Sequence, residues 1–340
     1  MTLHRREIAV VLTAMVAITG THFAQPRPLP VIDMHLHASA ATSQGPPPLG
    51  LCPGNGFPVW DQRTTWSETF LAATKKPPCD SPVWSPTTDD ALREATIAAM
   101  QRRNVIGLLG GTPERVQRWR DDAPERVIPS LALQLGPGAT TPETMTALHK
   151  AGRIAALAEV TNQYVGIAAD DARFEPYLAA AETADIPVGI HIGTGPPGAP
   201  YLGFANYRAR LHSALALEEP LLKHPRLRLF VMHAGWPMVD DILAVMWAHP
   251  QVHVEIGAIV WALPRIEFYR YLQRIVDAGF GKRVMFGSDQ MVWPGMIEHA
   301  IRVVEDAPAL TSEQKRDILY DNAARFLRLS QADIDRHHGR

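Results

Sequence analysis

The sequence predicts an α/β protein built as a single (β/α)8 TIM barrel with a long, lid-like insertion after its first strand. Three observations predict it. Eight short apolar runs alternate with amphipathic, helix-like stretches from residue 31 onward, and strands alternating with helices make βαβ units and a parallel sheet. Eight such units close into a barrel, and barrels of this kind exceed 250 residues as one domain. No GxGxxG follows the first run, so the main signature of a doubly wound open sheet is missing.

The first 24 residues stand apart from that rhythm. His4, Arg5 and Arg6 form a basic start, Ile8 to Gly20 is an uncharged run of 13 mostly apolar residues, and small residues follow up to Ala24. This is the order of a secretory signal peptide. The run is short of the roughly 20 apolar residues that span a bilayer, so no stable membrane anchor is expected. The expected domain is residues 25–340, secreted or periplasmic once the leader is removed. Only two cysteines are present, Cys52 and Cys79. An oxidising compartment favours pairing them; two free thiols are the alternative, and neither has the spacing of a structural zinc site.

Val31–His37 reads as the first strand. Residues 39–87 then break the alternation, being rich in Pro, Trp, Ser and Thr. A connection of that length in a compact domain is usually functional, and after the first strand of a barrel it would cover the active-site mouth. Thr88–Asn104 reads as a helix, with Asp89 and Asp90 at its positive end. Strands follow at Val105–Gly110 and Val127–Gln134, then a helix at Pro142–Ala151 and a strand at Ala155–Val160. The next pairs are helix Arg173–Ala184 with strand Pro187–Ile192, and helix Tyr207–Lys223 with strand Leu227–His233. Helix Val239–Ala248, strand Val252–Ile256, helix Pro264–Ala278, strand Val284–Gly287 and helix Met296–Glu305 complete the series.

Composition excludes several classes of function. Lys+Arg 33 against Asp+Glu 35 gives a net charge of −2, without the basic excess of nucleic-acid binders. With 46% hydrophobic and 20% charged residues, the chain is globular rather than disordered. No GxSxG occurs and neither cysteine has a histidine beside it in sequence, so no serine or cysteine nucleophile is signalled. The expected partner is a small-molecule substrate.

The polar residues at strand ends carry the chemistry. His35 and His37 in VIDMHLHA are two apart on a strand, so both imidazoles share one face. Glu159 ends the fourth strand, His191 the fifth and His233 the sixth; Asp289 follows the eighth. Each comes after an apolar run, where an unpaired ionisable group is costly to bury. In a barrel all six meet at the C-terminal mouth, and several N/O donors with open positions suit Zn²⁺ or a similar divalent ion. Tyr164 follows Glu159, Tyr201 follows His191, Trp236 follows His233 and Trp293 follows Asp289; these four are the candidate substrate contacts. Aromatic side chains at one mouth suit an apolar or aromatic ligand. Glu255, on the seventh strand, is assigned no role.

The pattern HxH, Glu, His, His, Asp on successive strands resembles the amidohydrolase superfamily, in its branch of amidohydrolase-related hydrolases and decarboxylases. The stretches VIDMHLHA, WSPTTDDAL, IPVGIHIGTGPPGAPY, VMHAGWP, FGSDQMVWP and DNAARFLRL carry the likeness. The resemblance implies that His35, His37, His191 and Asp289 hold a catalytic zinc. His233 would bind a second metal or polarise the substrate. No lysine stands near Glu159, so a carboxylated-lysine bridge is excluded and a glutamate bridge remains open, as does a count of one or two metals. The implied activity is hydrolysis of an amide, ester or lactone by metal-activated water, with Asp289 moving the proton. A non-oxidative decarboxylase of an aromatic or unsaturated acid is the alternative, and a non-catalytic binding protein the third reading. No arginine directly follows strands five, six or eight, which favours hydrolysis. Homodimers are common among such barrels, although nothing in the sequence identifies an interface.

Overall fold

The computed structural model describes residues 28–340 apart from Thr194; the leader expected at residues 1–24 lies outside the described residues. Strand β1 (Val31–His37) is followed by two short strands, β2 (Gly50–Leu51) and β3 (Val83–Trp84), and then by seven more. These are β4 (Val105–Gly111), β5 (Val127–Leu133), β6 (Ala156–Val160), β7 (Val188–His191), β8 (Leu229–Met232), β9 (His253–Glu255) and β10 (Val284–Met285). One eight-stranded sheet runs β1-β4-β5-β6-β7-β8-β9-β10, with neighbours parallel throughout. The sheet closes on itself through backbone bonds just past β10: Met34 N–H donates to Phe286 O at 2.9 Å, and Asp289 N–H to His35 O at 2.8 Å. The second bond sets Asp289 beside the HxH strand although some 250 residues separate them in sequence.

All eight expected barrel strands are present, trimmed or extended by one or two residues at their ends. Helices line the outside, and their apolar faces share one large buried cluster with the sheet, including Leu36, Leu109, Val160, Ile190, Val231 and Val254. One expectation needs correction, and one helix was not expected. Tyr207–Lys223 is not one helix: Ala209–His212 and Ala214–Leu217 are single 3-10 turns, and only Glu218–Lys223 is α-helical. Ser213 breaks it, with extended backbone and a hydroxyl that caps Leu215 N–H. The segment's groups turn instead to the loop after β7, where Gly195 N–H donates to the Tyr207 hydroxyl and Gly193 N–H to His212 O. Pro113–Asp122 is a helix that the apolar periodicity did not reveal, because only Val116 and Trp119 of its ten residues are buried. Its start was signalled by Thr112 as N-cap and proline at the first position.

The stretch 39–87 has structure of its own. β2 pairs antiparallel with β3, helix Trp66–Lys75 begins with a Thr65/Glu68 capping box, and Cys52 is bonded to Cys79. It is tied to three loops at the C-terminal ends of the strands. Trp66 Nε1–H donates to Pro197 O, Gly54 N–H to Trp261 O, and Trp293 Nε1–H to Leu49 O. Among the described residues no helix is long and apolar enough to cross a membrane.

Candidate metal centre

His35, His37, Glu159, His191, His233 and Asp289 come together at the C-terminal ends of β1, β6, β7 and β8 and just past β10. Their donor atoms form two sets that share Glu159, and Asp289 links them, lying with His35 and His233 in a third group whose donor atoms are all within 4.8 Å of one another. In the first, His35 Nε2 and His37 Nε2 are 3.0 Å apart, and Asp289 Oδ1 lies 3.7 and 2.9 Å from them. In the second, His191 Nδ1 and His233 Nε2 are 2.9 Å apart. Glu159 Oε1 faces the second pair, in close contact with His191 Nδ1 and 3.2 Å from His233 Nε2. Its other oxygen, Oε2, faces the first pair, 3.9 Å from His35 Nε2 and 4.0 Å from His37 Nε2.

These separations suit a divalent ion. Donors at about 2.0–2.1 Å from Zn²⁺ in tetrahedral array lie about 3.4 Å from one another. Two imidazole lone pairs aimed at each other across 3 Å repel unless a proton or cation lies between them. Asp289 Oδ1 is a further sign: it is buried and accepts no hydrogen bond, although His37 Nε2 is 2.9 Å away. A buried carboxylate oxygen without a donor is expensive, and a coordinated cation satisfies it. The residues present therefore fit one or two divalent ions.

The far sides of three rings fix which nitrogen faces inward. His35 Nδ1 lies 3.1 Å from Glu255 Oε2, His233 Nδ1 lies 2.9 Å from Gly257 O, and His191 Nε2 is 3.5 Å from the Tyr164 hydroxyl. An outer acceptor holds the proton on its own side and leaves the inner nitrogen as a lone pair. Glu255 is the residue that sequence reasoning passed over. It is fully buried, accepts from the Gly257 amide and lies 3.5 Å from the His233 amide. Glycines make its room: a Cβ on Gly287 would sit 1.9 Å from Glu255 Oε1, and one on Gly257 2.5 Å from it. The available signal was an acid closing an apolar strand with glycine two residues on, in VEIG. Glu255→Gln is expected to weaken metal affinity roughly tenfold with the barrel intact, read by metal titration and a thermal melt; unchanged affinity would remove Glu255 from this role.

Charge and backbone agree with a built site. Burial works against ionising Asp289, but His35, His37 and His233 outweigh it and hold its carboxyl at about 2. Burial likewise opposes Glu159, and His191, His233 and His35 keep it ionised. Burial and the neighbouring His233 push His191 down, toward neutral imidazole. Non-glycine residues with positive φ gather here: His233 at 59°, Ala234 at 48°, Ala258 at 55°, Asp289 at 48° and Met291 at 45°. Such conformations cost energy and concentrate at functional sites.

The four aromatic candidates divide. Tyr164 packs its ring 5.0 Å from that of His191. Tyr201 sits on the rim, 60% exposed. Trp293 is buried and donates its indole N–H to Leu49 O, and Trp236 directs its own toward Glu267. Neither of those two tryptophans is brought to the donor cluster by a ring contact among the described residues.

Comparison with known proteins agrees with this architecture. A family model described as amidohydrolase matches residues 32–329. No curated protein matches the chain. Among solved structures, an uncharacterised TIM-barrel protein from Bordetella bronchiseptica is 16% identical with a TM-score of 0.56, covering 92% of this chain and 100% of its own. The 5-carboxyvanillate decarboxylase of Novosphingobium aromaticivorans, complexed with manganese and 4-hydroxy-3-methoxy-5-nitrobenzoic acid, is 15% identical with a TM-score of 0.56, covering 89% and 97%. A probable 2-pyrone-4,6-dicarboxylic acid hydrolase from Acinetobacter baumannii, with citric acid bound, is 13% identical with a TM-score of 0.54, covering 88% and 100%. At these identities the structural likeness shows the fold.

Proposed function

We propose, since the chain belongs to the amidohydrolase family, that it is a metal-dependent hydrolase whose site takes two divalent ions, with zinc as the metal. One observation carries the reading: the two oxygens of Glu159 are divided between two pairs of histidines, Oε1 toward His191 and His233 and Oε2 toward His35 and His37. Four imidazole nitrogens and two carboxylates suit Zn²⁺ better than the harder Mg²⁺ or Ca²⁺. When bound, such ions lower the pKa of a coordinated water and polarise a carbonyl or acyl oxygen. His35, His37 and Asp289 would hold one ion and His191 and His233 the other, with Glu159 shared.

The chain's own residues supply the rest. Asp289, ionised and without a hydrogen-bond donor on Oδ1, takes the proton from the attacking water and returns it to the leaving group. His233 is oriented by Gly257 O, which keeps the proton on Nδ1 and leaves Nε2 free for the second ion. Every ion-pair partner of Glu159 and Asp289 among the described residues is a histidine. A decarboxylase holding a substrate carboxylate would be served by a guanidinium or ammonium at this place. The Cys52–Cys79 bond and the leader-like start favour export to an oxidising compartment.

The test is metal content per chain on protein purified without chelators, together with product analysis. About two ions per chain, with hydrolysis lost on chelation and restored by zinc, is the expected result. One ion, with carbon dioxide released from aromatic acids, would replace this reading with decarboxylation. No metal after zinc is added back would leave a binding protein.

A further inference from the structure

An aromatic wall leads from the donor cluster to solvent. It begins at Tyr164, whose ring lies 5.0 Å from His191 and 4.7 Å from Phe204. Phe204 and Tyr201 belong to one tight loop after β7, in which Phe204 N–H donates to Ala199 O and Tyr201 N–H to Gly198 O. Trp60 of the disulfide-bonded insertion continues the wall, 5.3 Å from Tyr201 and 6.1 Å from Trp66. Two hydrogen bonds lock insertion and loop together, Trp66 Nε1–H to Pro197 O and Ser67 Oγ–H to Tyr201 O. The approach is so close that a Cβ on Gly198, whose φ is +71°, would fall 2.2 Å from the Trp66 indole nitrogen. The wall is therefore built, yet its outer rings stay open: Tyr201 is 60% exposed and Phe204 36%.

The chemistry of that wall selects its ligand. Aromatic rings bury large apolar area and present a negative face. A substrate carboxylate lying against them would lose water at a substantial cost, and among the described residues no arginine or lysine stands over the ring of Tyr164, Tyr201, Phe204 or Trp60. We propose that the substrate is an uncharged aromatic ester, lactone or amide, its ring laid against Tyr164, Tyr201 and Trp60 with the scissile carbonyl toward His191 and Asp289. This deepens, and rests on, the hydrolase reading. Water adds to the acyl carbon, the bond from that carbon to the leaving oxygen or nitrogen breaks, and the proton taken by Asp289 passes to the leaving atom.

The experiment compares three acetates with matched leaving groups on the metal-loaded protein: benzyl acetate, cyclohexylmethyl acetate and 4-(acetoxymethyl)benzoate. The expected result is kcat/KM about tenfold higher for benzyl acetate than for either other. Trp60→Ala should raise its KM by a similar factor and leave metal content unchanged. Binding is read separately, by quenching of tryptophan fluorescence with benzyl alcohol and 4-(hydroxymethyl)benzoate, so that a poor scissile bond does not hide the answer. Equal or tighter binding of the carboxylate, or no effect of Trp60→Ala on the neutral ligand, overturns the inference while hydrolysis of any acetate keeps the hydrolase reading. Carbon dioxide released from 4-(acetoxymethyl)benzoate, with none of the three acetates hydrolysed, overturns the hydrolase reading, and with it the assignment of an ester, lactone or amide.

Discussion

Asp289→Asn is expected to lower kcat by about 10³-fold while the melting temperature stays within a few degrees of the parent. Asparagine keeps the shape of aspartate, so the backbone bond from residue 289 to His35 O, which helps close the barrel, is preserved. What goes is charge. In the parent, Oδ1 is buried without a donor, beside His37 Nε2 and within 4 Å of His35 Nε2. An amide in that place can neither take a proton from water nor balance the histidines, and its NH2 would confront two ring nitrogens. If Asp289 moves the proton, the loss appears in kcat and persists at saturating zinc. If it serves only as a ligand, excess zinc restores the rate and the effect lies in metal affinity. A variant within tenfold of the parent at all zinc concentrations would take Asp289 out of the mechanism.

Much of this site was legible because strand ends are local features. An imidazole or carboxylate closing an apolar run is visible in VGIHIG or LFVMHAG without knowing what it faces, and the barrel's parallel order then brings the ends together. The same logic shows what stayed hidden. Glu255 also closes an apolar run, but its partner His35 lies 220 residues away, and it serves from behind the ring rather than from within the donor set. Nothing local separates those two positions. The division of Glu159 between two histidine pairs depends on side-chain direction, which strand order does not give. In the segment 207–223, apolar spacing suited one helix, but Ser213 and the groups drawn to the loop after β7 broke it. The helix 113–122 was obscured for the opposite reason: its caps were present and its apolar stripe was too thin.

Glu159→Ala carries the sharpest consequence for the metal count. The carboxylate divides its two oxygens between the histidine pairs, so its removal should leave His35, His37 and Asp289 able to hold one ion and take from the second pair its nearest carboxylate. Two neutral nitrogens at 2.9 Å make a weak site for a divalent ion, which ordinarily needs three or four donors. The expected result is a fall from about two ions per chain to about one, with activity lower by about 100-fold. Glu159→Asp separates charge from reach. It keeps the negative charge but is one methylene shorter, so it can approach His191 and His233 or His35 and His37, not both. If the shared carboxylate is what matters, aspartate restores little of the lost activity, and the second ion binds only at raised zinc. If charge alone matters, aspartate restores both. Two tightly held ions in Glu159→Ala would mean that the pairs are independent sites and that Glu159 orients His191 from the side.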